Sequence, residues 1–258
     1  PDRPIEHARV ITSWVALTGT LHASSEWLPG LPPDRLDLIK RALPAHPRAA
    51  RPVDVLEQDL ARIWITSDET SGRHVVGLFN WDSNKPSRVE YDLDRLGLPA
   101  GKEWIGREFW SGTMLAPFKD KLVADLAPGT CQVLSLRENL AQPQILASSR
   151  HITQGLTDIA GESWNAQSNT LAATTDLVAN DPTRLIVATG STRRIPGTPS
   201  LSQADQSAGV TATLARTGSL VPLTLTPPSP RTVPWSLPFG HPDSTTPSPP
   251  LSKPRTTA

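Results

Sequence analysis

The sequence has very little cysteine, no net charge and no long apolar run, and each of these features excludes a class of protein. The single cysteine, Cys131, cannot form a disulfide framework within the chain or a thiolate metal site. The 25 basic residues balance the 25 acidic ones, whereas a protein that clamps nucleic acid needs a basic face to neutralise phosphates. No stretch approaches the roughly 20 consecutive apolar residues that cross a bilayer. We therefore expect neither a nucleic-acid partner nor a membrane partner.

The metal-ligating residue types are scattered along the chain. The six histidines lack the spacing of metal ligands, and no second cysteine is available to join them. Asp92, Asp94 and Asp125 do not form the spaced set that a calcium loop requires. The sequence thus predicts no metal site and no cofactor.

Two residue types are unusually frequent. Eight of the thirteen aromatic residues are tryptophans, and eleven of the 27 prolines fall in residues 222–258. Residues 241–258 are mostly Pro, Ser and Thr, which predicts a disordered tail because they can bury little apolar surface. The first residue is Pro1, and we expect this chain to be the carboxy-terminal part of a longer protein.

Residues 1–50 show a helix–strand–helix pattern. Apolar residues recur at three- and four-residue steps from Pro4 to about Leu17, which predicts an amphipathic helix. A short strand over residues 20–25 and a second helix from Pro33 to Leu43 follow. Since one strand cannot make a sheet, we expect the remaining strands upstream of this chain.

Beyond residue 50 the apolar pattern alternates, which is typical of strands. We predict an antiparallel β-sandwich over residues 51–140 and a second β-rich domain over residues 141–240. The second domain includes a strand candidate at residues 151–154, and three prolines predict edge or irregular strands near its end: Pro222, Pro234 and Pro238. The six strand candidates of the first domain are residues 62–66, 74–81, 87–93, 104–110, 121–127 and 130–137.

Several segments, taken in order, resemble the end of an α-galactosidase of the melibiase families. Residues 7–17 (HARVITSWVAL), 20–27 (TLHASSEW) and 33–40 (PDRLDLIK) are similar to the seventh helix, eighth strand and eighth helix of the family's (β/α)₈ barrel. The segments that resemble its carboxy-terminal sandwich are residues 75–81 (VVGLFNW), 109–112 (FWSG) and 126–134 (LAPGTCQVL). The resemblance covers about residues 4–138, with a looser match onward to Phe239, and the α-amylase superfamily shares the same plan. It implies a mainly β chain that begins with the end of a barrel over residues 1–50.

The resemblance also implies that the catalytic residues lie outside this chain. Family members use two Asp residues on the fourth and sixth barrel strands, and both strands would precede Pro1. We therefore assign no catalytic residue and expect the chain alone to be inactive. Glu26 would stand at the carboxyl end of the last barrel strand, where a carboxylate can accept hydrogen bonds from sugar hydroxyls. The family usually has Asp there, and the alternative for Glu26 is a solvated or helix-capping carboxylate.

Two neighbours of Glu26 complete the predicted substrate-binding set. Trp27 can stack on a sugar ring or plug the barrel rim, and Ser25 can line the pocket or serve only the structure. The implied partner is a carbohydrate, an α-galactoside, bound through the upstream barrel. The sequence assigns neither the oligomeric state nor the cellular location, although members of the family are often exported by bacteria.

Two further functions remain open. The tryptophan content also fits a non-catalytic carbohydrate-binding module, although Trp64, Trp81, Trp104 and Trp110 fall in strands and are interpreted mainly as sandwich core. A partner-recruiting role for the Pro-rich end depends on composition alone and ranks last.

Overall fold

The structure is a computed structural model that describes residues 4–19, 27–44, 46, 48–191, 194–215 and 220–240. The predicted barrel strand at residues 20–25 and the predicted disordered tail at residues 241–258 lie outside the described residues.

Two helices precede the strands, as predicted. Helix α1 (Ile5–Thr18) ends at Gly19, whose φ of 64° lets its N–H donate to the carbonyl oxygen of Val15 at 3.1 Å. Helix α2 (Pro33–Ala42) begins with a proline, which suits the first helical position because no N–H is needed there.

The next eight strands form the predicted antiparallel sandwich. Its larger sheet has six strands in the order β1-β2-β3-β8-β5-β6, and β4 pairs with β7 opposite this sheet. The strands are β1 (Arg51–Pro52), β2 (Ile63–Asp68), β3 (Arg73–Phe79), β4 (Ser87–Asp92), β5 (Trp104–Glu108), β6 (Met114–Phe118), β7 (Lys121–Leu126) and β8 (Cys131–Glu138).

The sandwich core follows from the alternating pattern. In β4, Val89 and Tyr91 are buried while Arg88 and Glu90 point to solvent. These buried side chains and those of β7 pack against the inner face of the six-stranded sheet. The largest side chain that this sheet places in the core is Trp104.

Helix α1 covers the outer face of the six-stranded sheet. Leu17 packs with Val75 and Phe79 of β3 in a second apolar layer. The approach is close because residue 77 is glycine, where an added Cβ would lie 2.5 Å from the Leu17 Cδ1. The helix and the first sandwich are thus packed as one unit.

The remaining strands form a second antiparallel sandwich of two four-stranded sheets, ordered β10-β11-β16-β13 and β14-β15-β12-β9. The short helix α3 (Gln203–Ser207) lies between β13 and β14 in the chain. The strands are β9 (Gln144–Ser148), β10 (Ile159–Asn165), β11 (Thr170–Leu177), β12 (Thr183–Ala188), β13 (Ser200–Leu201), β14 (Thr211–Leu214), β15 (Leu220–Thr226) and β16 (Arg231–Pro238).

The prediction that prolines confine the last strands to edges is wrong. Strands β15 and β16 each pair with a strand on both sides. The Pro222 carbonyl accepts from the Ala215 N–H at 3.0 Å, and the Pro238 carbonyl accepts from the Gly197 N–H at 2.7 Å. In an antiparallel strand the nitrogen and oxygen of one residue point the same way. Both prolines therefore turn their missing N–H toward a short outer segment.

The strand predicted at residues 151–154 is also wrong, because this segment turns. Gln154 has a positive φ of 49° and is followed by Gly155 at 105°. The segment places Ile152 in the apolar layer beside α1, and the Ile152 N–H donates to the carbonyl of Arg41 in α2 at 2.9 Å. Packing against the helices thus replaces strand pairing.

Candidate functional site

The predicted substrate-binding residues fall at a gap in the described chain. Ser25 and Glu26 lie outside the described residues. Trp27 precedes a 3₁₀ turn (Leu28–Gly30), and its side chain is 76% exposed. The Trp27 carbonyl accepts from the Gly30 N–H at 2.9 Å, which fixes the backbone beneath an indole that faces solvent. Among the described residues, the indole of Trp27 therefore packs into no hydrophobic core.

The tryptophans of the first sandwich are largely structural. Trp104 is core at 2% exposure. Trp64 and Trp81 lie instead between α1 and the sheet, where both meet Trp14 edge-on at centroid distances of 6.1 and 6.4 Å. Trp110 also packs there and donates its Nε1–H to the Ser13 Oγ at 3.0 Å. Only Trp104 therefore belongs to the core inside the sandwich, and the other three belong to the apolar layer between α1 and the sheet.

A polar cavity of about 480 Å³ lies beside Trp81. Its polar groups are used by the local loop: the Asn80 Nδ2 donates to the carbonyls of Lys85 and Ala127 at 2.8 and 3.0 Å. The Asp82 Oδ1 accepts from the backbone N–H of Asn84 at 2.8 Å. This arrangement stabilises the turn between β3 and β4.

Three buried charged side chains join the two sandwiches. Arg73 on β3 and Arg137 on β8 belong to the first sandwich, and Glu162 on β10 belongs to the second. One Glu162 oxygen accepts from Arg73 at 2.6 Å, and the other accepts from Arg137 at 2.6 Å. Their side chains are only 1%, 8% and 9% exposed.

This charge cluster, Arg73–Glu162–Arg137, contains two cations and one carboxylate. Burial lowers the pKa of Arg73, and the negative charge of Glu162 opposes that effect. Two further donors bond to backbone: Arg137 donates to the carbonyl of Ile145 at 2.8 Å, and Arg73 donates to that of Gly155 at 3.2 Å. These two bonds and the two ion pairs cross between the sandwiches, so the cluster helps to hold their relative position.

A surface groove lies beside the charge cluster. Two cavities of about 350 and 360 Å³ share three lining residues, Leu140, Gln142 and Trp164, and so lie side by side. Arg137 and Glu162 line the section beside the charge cluster, and Arg194 lines the other. We call the two sections together the Trp164 groove.

The indole of Trp164 is held from below and from the side. It is half-buried, packs against the hydrophobic core of the second sandwich and meets Phe239 edge-on, with 5.9 Å between the ring centroids. The Arg194 guanidinium lies 5.4 Å from its ring centroid and donates to the Asn169 Oδ1 at 2.8 Å. Trp164 is thus a fixed aromatic surface at the junction of the two groove sections.

Sequence reasoning did not single out the charge cluster or the groove. The available signals were Arg73 and Arg137, which lie at the ends of two predicted strands (residues 74–81 and 130–137), and Trp164 at the end of a strand predicted over residues 157–164. The cluster forms only through a long-range contact, because Arg73 and Glu162 are 89 positions apart in the sequence.

Among the described residues, no three His, Cys, Asp or Glu side chains form a group that could hold a metal ion. No helix in the described part of the chain has both the length and the apolarity to cross a membrane.

Comparison with known families identifies the first sandwich. Residues 58–136 match the family described as the alpha galactosidase C-terminal beta sandwich domain. The resemblance inferred from the sequence is confirmed for this segment, which contains β2 to β7 and most of β8. A comparison with curated proteins finds no match.

Several solved structures are similar to parts of the chain. A β-L-arabinopyranosidase from Geobacillus stearothermophilus aligns at 19% identity and a TM-score of 0.46, covering 55% of this chain and 32% of that one. Alpha-galactosidase I from Mortierella vinacea aligns at 14% identity and 0.44, covering 53% and 36%. An isomalto-dextranase from Arthrobacter globiformis, solved with panose, aligns at 12% identity and 0.42, covering 91% and 48%. The chain therefore spans about a third of the length of the first two.

Proposed function

We propose that this chain is the carboxy-terminal part of an α-galactosidase-like glycoside hydrolase. The observation that carries the proposal is the match of residues 58–136 to the α-galactosidase carboxy-terminal sandwich. Helices α1 and α2, which precede this sandwich in the chain, support the proposal, because each strand of a (β/α)₈ barrel is followed by a helix.

In this proposal residues 1–50 are the end of a (β/α)₈ barrel, residues 51–140 the sandwich, residues 141–240 a second β-domain and residues 241–258 a tail. The catalytic carboxylates belong to the upstream barrel. A retaining glycosidase holds two carboxyl groups about 5–5.5 Å apart, one as nucleophile and one as acid/base. This chain would supply stability to the barrel and one edge of the substrate pocket.

The pocket edge is formed by Ser25, Glu26 and Trp27. The carboxylate of Glu26 accepts hydrogen bonds from sugar hydroxyls, and the indole of Trp27 covers the apolar face of the ring. The 76% exposure of Trp27 supports this role, because an indole of that size is normally covered. An α-galactoside is the proposed substrate.

The test compares this chain with a polypeptide that also carries its upstream region. Only the longer protein should release p-nitrophenol from p-nitrophenyl α-galactoside. In it, Trp27→Ala should raise KM by about tenfold, since one stacking contact is lost from a bound ring. Trp110→Leu, which alters an indole packed between α1 and the sheet, is the control and should leave KM unchanged. An inert longer protein would refute the proposal.

The second candidate function is sugar binding without catalysis. The observation that favours it is the fixed, half-buried indole in the Trp164 groove.

A further inference from the structure

The Trp164 groove combines an aromatic surface with hydrogen-bonding groups of both kinds. The section beside the charge cluster is lined by hydroxyl, amide, carboxylate and guanidinium groups. Small-molecule sites occupy about 300–1,000 Å³ and combine apolar surface with a few fixed polar groups. Each section of the groove reaches that range. The polar lining residues of that section are Glu69, Thr70, Ser71, Arg137, Gln142, Gln144, Glu162 and Ser163.

One buried amide at the groove has unused bonding capacity. Gln144 is 2% exposed, and its Nε2 donates to the carbonyl of Glu138 at 2.6 Å. Its Oε1 is buried and accepts no hydrogen bond from any described residue. Since leaving a buried polar atom unpaired costs about 1–3 kcal/mol, a hydroxyl donor supplied by a ligand would find a favourable partner at this residue.

The groove is also prepared for binding before a ligand arrives. The carboxylate of Glu162 is held by Arg73 and Arg137, so its position costs little entropy on binding. Arg194 and Phe239 hold the indole of Trp164 on its other sides. A site whose polar and aromatic parts are already ordered is typical of ligand recognition.

The balance of charges indicates the ligand. Arg137 and Arg194 in the groove are balanced by Glu69 and Glu162, which disfavours a strongly charged ligand. A neutral sugar presents an apolar C–H face to an indole and hydroxyls that both donate and accept. The two sections flank the shared Trp164, so the ligand extends over more than one ring.

We infer that the Trp164 groove is a carbohydrate-binding site for a neutral oligosaccharide, formed between the two sandwiches. Trp164 stacks on a sugar ring, and Gln142 and Gln144 bind its hydroxyls. The inference shares its ligand class with the proposed function but requires no catalysis by this chain.

The test is a titration of the full 258-residue chain, followed by tryptophan fluorescence and by calorimetry. The probes are melibiose, isomaltotriose and, as a charged comparison, trigalacturonate. We expect saturable binding of at least one neutral sugar at millimolar concentration. Trp164→Leu should weaken it at least about tenfold, which corresponds to about 1.4 kcal/mol.

Trp110→Leu is the matched control. Trp110 is also half-buried beneath an arginine, with the Arg9 guanidinium 5.1 Å from its ring, but it lies beside α1. This variant should bind sugar like the parent chain. If Trp164→Leu fails to fold, Gln142→Ala replaces it, because Gln142 is exposed and lines both sections. It should weaken binding several-fold with no change in thermal unfolding.

Three results would overturn the inference: no neutral sugar binds, binding survives both groove variants, or only trigalacturonate binds. The failure of this inference is distinct from failure of the proposed function. A chain that binds no sugar while the longer protein hydrolyses α-galactosides refutes the groove alone. A chain that binds sugar while the longer protein is inert refutes the hydrolase alone.

Discussion

Arg73 and Glu162 form an ion pair at 2.6 Å between the two sandwiches, with their side chains only 1% and 9% exposed. Arg137 binds the same carboxylate, so a single acidic group neutralises part of two buried cations. Such a cluster is costly to bury, but it is more costly to break, because a lone partner is left charged and without water. Glu162 therefore helps to fix the relative position of the two sandwiches, and with it the groove.

Replacing Glu162 with Gln should therefore strongly destabilise the protein. The change keeps the shape of the side chain but removes the charge between two buried guanidinium groups, and we expect a loss of about 3–5 kcal/mol in the free energy of unfolding. Urea denaturation measures it. Asp125→Asn is the control, because Asp125 and its partner Arg88 are 75% and 60% exposed. That variant should change stability by less than about 1 kcal/mol, and equal losses in the two variants would contradict the role given to the charge cluster.

Gly77 allows helix α1 to approach the sheet. An added Cβ would lie 2.5 Å from the Leu17 Cδ1 and 2.7 Å from the Phe79 Cε2, so Gly77→Ala should cost about 1–3 kcal/mol through overpacking. Gly72→Ala serves for comparison, because no atom lies within 4 Å of its Cβ position and only its φ of 66° opposes the change. The midpoint temperature of thermal unfolding should fall further for Gly77→Ala than for Gly72→Ala. A smaller shift at Gly77 would show that α1 does not pack as described.

Two histidines should make the protein sensitive to acid. Burial, helped by Arg137, lowers the pKa of His74 to about 4, and burial, helped by Arg150, lowers that of His151 to about 4. Between pH 6.5 and 4 these histidines are therefore protonated in the unfolded chain but neutral in the folded chain. The contribution of the two histidines to the free energy of unfolding is fully present above pH 6.5. It decreases as the pH drops, by up to about 1.4 kcal/mol per pH unit for each histidine.

The measurement is urea denaturation at pH 7 and pH 5. His151→Gln removes one titrating group from a position that is 6% exposed, so the variant should lose less stability than the parent over this interval. An equal loss in the two proteins would show that His151 does not contribute.

Cys131 should be unreactive in the folded protein. Burial raises the pKa of its thiol to about 12, and its Sγ donates to the Ser13 Oγ at 3.6 Å beneath helix α1. Since only the thiolate is alkylated, iodoacetamide at pH 8 should label the native chain far more slowly than the chain in urea, as followed by mass spectrometry. Rapid labelling of the native chain would mean that α1 does not cover β8.

The fold could be predicted where the pattern is local. Strand β4 alternates between buried and exposed residues along its whole length, and the two helices carry clear start and stop residues. Strand β6 (Met114–Phe118) was missed because none of its side chains is fully buried and it contains Pro117. The two-residue strands β1 and β13 are too short to show any period.

The groove could not be predicted because its parts meet only through the tertiary fold. Glu162 follows Arg137 by 25 residues and Arg73 by 89. Apolar periodicity places Arg137 and Glu162 on strands and Arg73 directly before one, but it gives no information about which strands face each other across two sandwiches. The proline prediction failed for a similar reason, since the cost of Pro222 depends on which neighbour its nitrogen faces.

Hydrolysis of p-nitrophenyl α-galactoside by this chain, and by the same chain joined to its natural upstream region, shows most directly whether the chain is part of an α-galactosidase-like enzyme. We predict no release of p-nitrophenol by the chain alone and steady release by the longer protein. Hydrolysis by the chain alone, or an inert longer protein that is folded, would contradict it.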